Sequence, residues 1–223
     1  MKRLLLISNS TQHGRGFLDH VEAELRDFLG VARRVLFVPF ALFDREAYTA
    51  RARARLESMG YEMVPGLEGA DAVYVGGGNT FRLLKALQDL HLIDPIRRRV
   101  AQGLPYVGSS AGSIVAGPTL KTTKDMPIVQ PRSFDALGLV GFQISPHYLD
   151  PDPASKHMGE TQEERILQYL EENDAPVVGL REGAWLRIEG ASTRLGGSAG
   201  ARIFRKGQPP VEKRPGDLLE EGR

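Results

Sequence analysis

Apolar runs of strand length alternate with helical patterns through the first two thirds of the chain. Residues 4–8 read as a buried strand, 20–29 as a helix stopped at Gly30, and 35–38 as a second strand closed by Pro39. Asp44 is placed to cap a helix reaching Gly60, and residues 61–64 are short and extended. Residues 72–75 form an apolar strand running into Gly76-Gly77-Gly78, after which Asn79 is placed to cap a helix through residue 90. A strand at 106–109 leads into a turn and a helical patch at 111–116. Strands apolar on both faces, with helices between them, imply a parallel sheet covered on both sides. Such sheets keep their ligands at the carboxyl ends of the strands.

The later chain changes character. Residues 142–145 read as a strand and 160–171 as an amphipathic helix, and 177–180 as a strand entering the sheet. Short runs at 185–188, 193–195 and 201–204, separated by Gly-containing turns, predict an antiparallel meander. The expectation is one α/β domain over residues 1–207: a mostly parallel sheet flanked by helices, ending in that meander. From Gln208 the composition turns to Pro, Glu, Lys and Gly, so 208–223 is expected to be a loose tail.

Composition narrows the chemistry. The 223 residues contain no cysteine, which excludes disulfides, thiolate metal sites and a Cys nucleophile, and fits a cytoplasmic protein. The apolar run 4–7 is too short for a signal-peptide core or a membrane span, and no later stretch approaches that length. With 29 basic against 28 acidic residues, the net charge is +1. The densest basic run, 97–99, reads as a solvated helix face, as do Arg51, Arg53 and Arg55, so no nucleic-acid partner is expected.

The central motif is Gly108-Ser109-Ser110-Ala111-Gly112, a G-x-S-x-G placed after a strand and before a helix. A nucleophilic serine needs its hydroxyl presented on a sharp turn, and small neighbours let the chain fold that tightly. The Ala111 amide, at the start of the helix, is free to face a developing oxyanion. By itself the motif also describes a turn that packs helix on sheet, or a loop that binds phosphate. Ser109 would still lie in the strand and Ser113 already in the helix. Gly76-Gly77-Gly78-Asn79-Thr80 is a second glycine turn at a strand end. It lacks both the G-x-G-x-x-G spacing and a P-loop lysine, so it suits no nucleotide. Beside the Ser110 turn, it would make the Gly78 amide a second oxyanion donor.

A serine hydroxyl needs a base. Of the five histidines, His13 and His20 lie early, His91 follows a helix, and His157 falls in a loop sequence. His147 stands where the 142–145 strand leaves the sheet, and is the chosen partner of Ser110. Two carboxylates could orient it. Glu182, just past the 177–180 strand, is preferred to Asp125 in the loop Thr122-Thr123-Lys124-Asp125-Met126-Pro127. The order Ser, His, Glu differs from that of α/β-hydrolases and points to a separate lineage.

Six segments together resemble the peptidase E, or α-aspartyl dipeptidase, family of serine peptidases. They are G-G-G-N-T-F from Gly76, S-A-G from Ser110, T-T-K-D-M-P-I from Thr122, S-P-H-Y from Ser145, G-E-T from Gly159 and L-R-E-G from Leu180. The resemblance implies a fold like the class I glutamine amidotransferase (flavodoxin-like) domain, with Ser in place of Cys. It implies a Ser110–His147–Glu182 triad, oxyanion amides at Gly78 and Ala111, and supporting roles for Asp125 and Asn79. It also implies hydrolysis of dipeptides with N-terminal aspartate through an acyl-enzyme, without metal or cofactor, by a monomer or homodimer. The arginine associated in that family with the substrate carboxylate directly follows G-E-T. Here that slot is Gln162, with Arg165 one helical turn on, which implies a weaker aspartate preference or its transfer to another cation such as Arg165. A small Ser109 before the nucleophile would widen the pocket. The neighbouring alternatives are a cyanophycinase-like hydrolase of β-Asp-Arg units and a non-catalytic small-ligand-binding domain.

Overall fold

The computed structural model describes residues 1–156 and 158–219. Its first half runs β1 (Arg3–Ile7), α1 (Glu22–Leu29), β2 (Arg34–Val38), α2 (Arg45–Ser58), β3 (Glu62–Val64) and β4 (Ala72–Val75). It continues through α3 (Thr80–Asp89), α4 (Ile93–Ala101), β5 (Tyr106–Ser109) and the short α5 (Ala111–Ile114). The second half comprises β6 (Gln143–Pro146), α6 (Gln162–Glu172), β7 (Val177–Leu180) and β8 (Ala184–Glu189). It ends with β9 (Ser192–Gly197), β10 (Ala201–Phe204), β11 (Val211–Lys213) and β12 (Leu218–Leu219).

Local sequence sets the helix starts as the polar punctuation predicts. The Asp44 side chain accepts from Ala47 N at 2.9 Å, and Asn79 Oδ1 accepts from Arg82 N at 3.0 Å. Thr161 and Glu164 close a reciprocal capping box on α6.

Among the described residues, the main sheet has eight strands in the order β12-β9-β8-β1-β5-β4-β2-β3. Strands β1, β5, β4, β2 and β3 pair in parallel, whereas β8, β9 and β12 are antiparallel. Alternation along β1 divides the core in two. Leu4 and Leu6 pack with Leu83, Leu87, Ile96 and Val100 of α3 and α4. Leu5 and Ile7 pack with Leu25 and Phe28 of α1 and Ala52 and Leu56 of α2. Helices on both faces explain why these strands are apolar throughout.

Four expectations are corrected. The strands β6 and β7 do not enter the main sheet; they pair in parallel within a second, four-stranded sheet of order β11-β10-β7-β6. Hydrophobicity reports that a strand is buried on both faces, not which sheet buries it. The segment after Gln208 is not uniformly loose: β11 pairs with β10 and β12 with β9. The last residues of the expected tail, 220–223, lie outside the described ones. Arg55 is not simply exposed, since its guanidinium bonds the Phe17 carbonyl and Glu22. The basic run is not wholly a solvated face either. Arg97 donates to the Leu137 and Ala136 carbonyls and Arg99 to those of Leu67 and Ala70, so both tie α4 to neighbouring loops.

Candidate active site

The two glycine turns meet because β4 and β5 are neighbours in parallel register, with Val75 opposite Gly108. Ser110 follows β5 with φ 50° and ψ −110°, a left-handed backbone that a non-glycine residue adopts only under constraint. Its amide donates to the Ile7 carbonyl at 3.0 Å, which fixes the turn against β1. Both flanking glycines are sterically required. A Cβ on Gly108 would stand 2.6 Å from the Gly112 carbonyl oxygen, and one on Gly112 would overlap the Val75 carbonyl oxygen. Gly77 lies against the same turn, where a Cβ would come 3.0 Å from Ser110 Cβ.

The structure brings three distant side chains into line. Ser110 Oγ is 2.8 Å from His147 Nε2, and His147 Nδ1 is 2.6 Å from Glu182 Oε1. An ionised carboxylate only accepts, so Nδ1 carries the ring proton and Nε2 is left to accept from the serine hydroxyl. His147 follows β6 and Glu182 follows β7, each at a carboxyl end of the second sheet. His147 is also left-handed, with φ 52°.

Sequence reading passed over the two residues that hold this pair. Ser8, fully buried just past β1, accepts from His147 N at 2.9 Å and donates to the Leu180 carbonyl at 2.9 Å. Asn9 Oδ1 accepts from Gly183 N at 2.7 Å. A Ser-Asn pair ending the apolar run 4–7 was the available signal, because a buried polar side chain there needs partners. Farther out, Arg181 forks onto both Asp150 oxygens at 2.8 Å and onto Glu212 at 2.6 and 2.9 Å. It thereby links the residue before Glu182, the loop after His147 and strand β11.

Gly78 has φ 132°, a conformation suited to glycine. Among the described residues, no acceptor pairs with the amide of Gly78 or of Ala111. Asp125 lies apart from the histidine. It accepts from Thr80 N at 2.7 Å, Thr80 Oγ1 at 2.6 Å and Thr123 Oγ1 at 3.0 Å. Asn79 Nδ2 donates to the Met126 carbonyl at 2.9 Å, so both residues bind the 122–126 loop to the start of α3.

Gln162 Oε1 accepts from Leu149 N at 3.1 Å and Lys124 Nζ at 3.0 Å, while Arg165 is paired with Glu160 at 3.5 Å. Ser109 is fully buried with its hydroxyl 3.1 Å from Tyr74 OH, so its small size opens no pocket. Ser113 is spent on the Ile7 and Gly108 carbonyls. Of the other histidines, His20 has its pKa lowered, chiefly by burial and then by Arg15. His157 lies outside the described residues.

Residues 4–196 match the model of Peptidase family S51. The chain is 54% identical to "Peptidase E" of Streptomyces coelicolor, covering 98% of this chain and 93% of that protein. It is 46% identical to the Drosophila melanogaster protein named "Probable alpha-aspartyl dipeptidase", over 92% of this chain and 90% of that one. Its fold is similar to the crystal structure of a peptidase from an acI-B1 Actinobacterium, with TM-score 0.74 and 18% identity over 99% of this chain and 97% of the other.

Proposed function

The chain belongs to peptidase family S51 and is a serine-type dipeptidase, and we propose that Ser110 is its nucleophile, His147 its general base and Glu182 the acid that orients the base. The observation that carries this reading is the continuous line from Ser110 Oγ through the imidazole to Glu182, with links of 2.8 and 2.6 Å. Ser110 Oγ forms a bond to the scissile carbonyl carbon as its proton passes to His147 Nε2, and Glu182 stabilises the imidazolium. The unpaired amides of Gly78 and Ala111 receive the negative charge that develops on the carbonyl oxygen. His147 then gives its proton to the departing amine as the C–N bond breaks. Water, deprotonated by the same imidazole, hydrolyses the acyl-enzyme.

The substrates are peptides. The naming of a relative as an alpha-aspartyl dipeptidase supports N-terminal aspartate in α linkage as the preferred one. We read the enzyme as cytoplasmic, cofactor-free and monomeric or homodimeric, and its net charge of +1 gives it little attraction for nucleic acid. The test is a panel of α-Asp, β-Asp and neutral dipeptides with the wild type and Ser110→Ala, which should lose several orders of magnitude in kcat/KM. Full activity in Ser110→Ala would refute the assignment. Faster cleavage of β-Asp-Arg would favour the cyanophycinase-like alternative. A folded wild type left unlabelled by a serine-reactive phosphonate would favour a non-catalytic binder.

A further inference from the structure

An N-terminal aspartate brings a side-chain carboxylate, and the site must offer it a counter-charge. Against β6, the strand that leads into His147, lies a cavity of about 80 Å³ whose lining includes Lys121, Lys124, Arg165, Gln162 and Ser145, and no Asp or Glu. Three cations facing a space without an acid make it a place for an anion. Two of the three are engaged away from the histidine: Lys121 Nζ bonds Asn173 Oδ1 at 2.9 Å, and Arg165 pairs with Glu160.

Lys124 differs. Its ammonium donates to the Pro146 carbonyl at 2.7 Å, the His147 carbonyl at 3.2 Å and Gln162 Oε1 at 3.0 Å, all of them neutral oxygens. Among the described residues, no carboxylate lies within 4.0 Å of it. The residue keeps an exposed flank, but the atoms crowded round the ammonium lower its pKa to about 8, chiefly by burial. The charges that reach it are Asp125 and Glu182, which raise the pKa, and Arg165, which lowers it. The three donors of Lys124 are all held by neutral oxygens, two of them on the backbone that leads into and through His147, so an arriving carboxylate would replace one neutral acceptor by a charged one. Gln162 turns its oxygen towards Lys124 and Leu149 N, so it holds the lysine and leaves that oxygen unsuited to meeting an anion.

We propose that Lys124 is the specificity-determining cation that receives the substrate's N-terminal aspartate side chain, doing at this position what an arginine at 162 would otherwise do. The inference rests on the dipeptidase reading above.

The experiment compares kcat/KM for Asp-Leu and Asn-Leu, isosteric substrates whose ratio cancels changes in His147 and in the shared α-amino group. Lys124→Met should lower the ratio about 10- to 100-fold, the weight of a charged hydrogen bond, and Lys124→Arg should keep most of it. Arg165→Met should leave the ratio near that of the wild type. In the wild type alone the ratio should hold below pH 8 and fall above it, as the free enzyme's ammonium loses its proton. This arm decides the matter if Lys124→Met does not fold. A ratio unmoved by Lys124→Met, a flat ratio from pH 6.5 to 9.5, or a collapse in Arg165→Met instead overturns the role of Lys124 while leaving the dipeptidase reading intact. A wild type that cleaves neither peptide overturns both.

Discussion

Ser8 joins the two sheets at the point where the chemistry sits: its hydroxyl accepts from the His147 amide and donates to the Leu180 carbonyl, each at 2.9 Å. The nucleophile stands on the main sheet, whereas the base and the acid stand on the second one. One buried hydroxyl at the end of β1 thus holds the strand exits from which both partners of Ser110 project.

Ser8→Ala should remove that joint and strand a polar amide behind the left-handed His147. The loss should be about 1–3 kcal/mol of stability, read from denaturant unfolding. A fall in kcat larger than any change in KM should accompany it, since the imidazole is displaced rather than the substrate contacts. Unchanged kcat would mean that the Ser110–His147 distance does not depend on Ser8.

Glu182 and Asp125 separate by geometry, and their variants should separate by kinetics. Glu182→Gln leaves an amide that no longer fixes the Nδ1 proton, and kcat should fall by about 10²–10⁴. The downfield proton resonance of an Nδ1–H bonded to carboxylate should vanish from the NMR spectrum with it. Asp125→Asn weakens the cap on α3 and should cost about 1 kcal/mol of stability, with a much smaller loss of kcat. Equal losses in the two would make Asp125 part of the relay.

Gly112→Ala has no room, because the new methyl would overlap the Val75 carbonyl oxygen. The turn must shift off β4, and the variant should lose at least about 1–3 kcal/mol or fail to fold. Gly66, with open space around it, is the control, and its alanine variant should stay within about 0.5 kcal/mol of wild type. Similar melting temperatures for the two would show that the elbow relaxes freely.

Acid should loosen the amino ends of β2 and β4, opposite the strand ends that carry the site. Hydrogen bonds from the Arg34 side chain and backbone lower the pKa of Asp71 from 3.8 to about 2. A carboxylate depressed in the folded state contributes stability that is present above 3.8 and lost as pH falls through 2. Asp71→Asn should flatten that part of the stability curve, while kcat/KM at neutral pH stays as in the wild type. A curve of unaltered slope would mean that Asp71 titrates alike in the folded and unfolded chain.

Much of this was legible in the residues because each strand end carries its own punctuation. Glycines flank Ser110, a proline and tyrosine bracket His147, and glycine follows Glu182. Capping at Asp44 and Asn79 could be read for the same reason, since a helix start needs a side-chain acceptor. The second sheet could not be read, because Ile144 and Val178 are as apolar as Leu6 and nothing local says which partner strand they choose. Lys124 was hidden by its surroundings: its meaning comes from the carbonyls of Pro146 and His147, which only the folded chain puts beside it.

The fork from Arg181 to Glu212 makes β11 part of the scaffold of the site. Arg181 adjoins the acid of the relay, and its two carboxylates come from the loop after His147 and from β11. A nick in the connection between β10 and β11 would therefore slacken the relay without touching any of its three members.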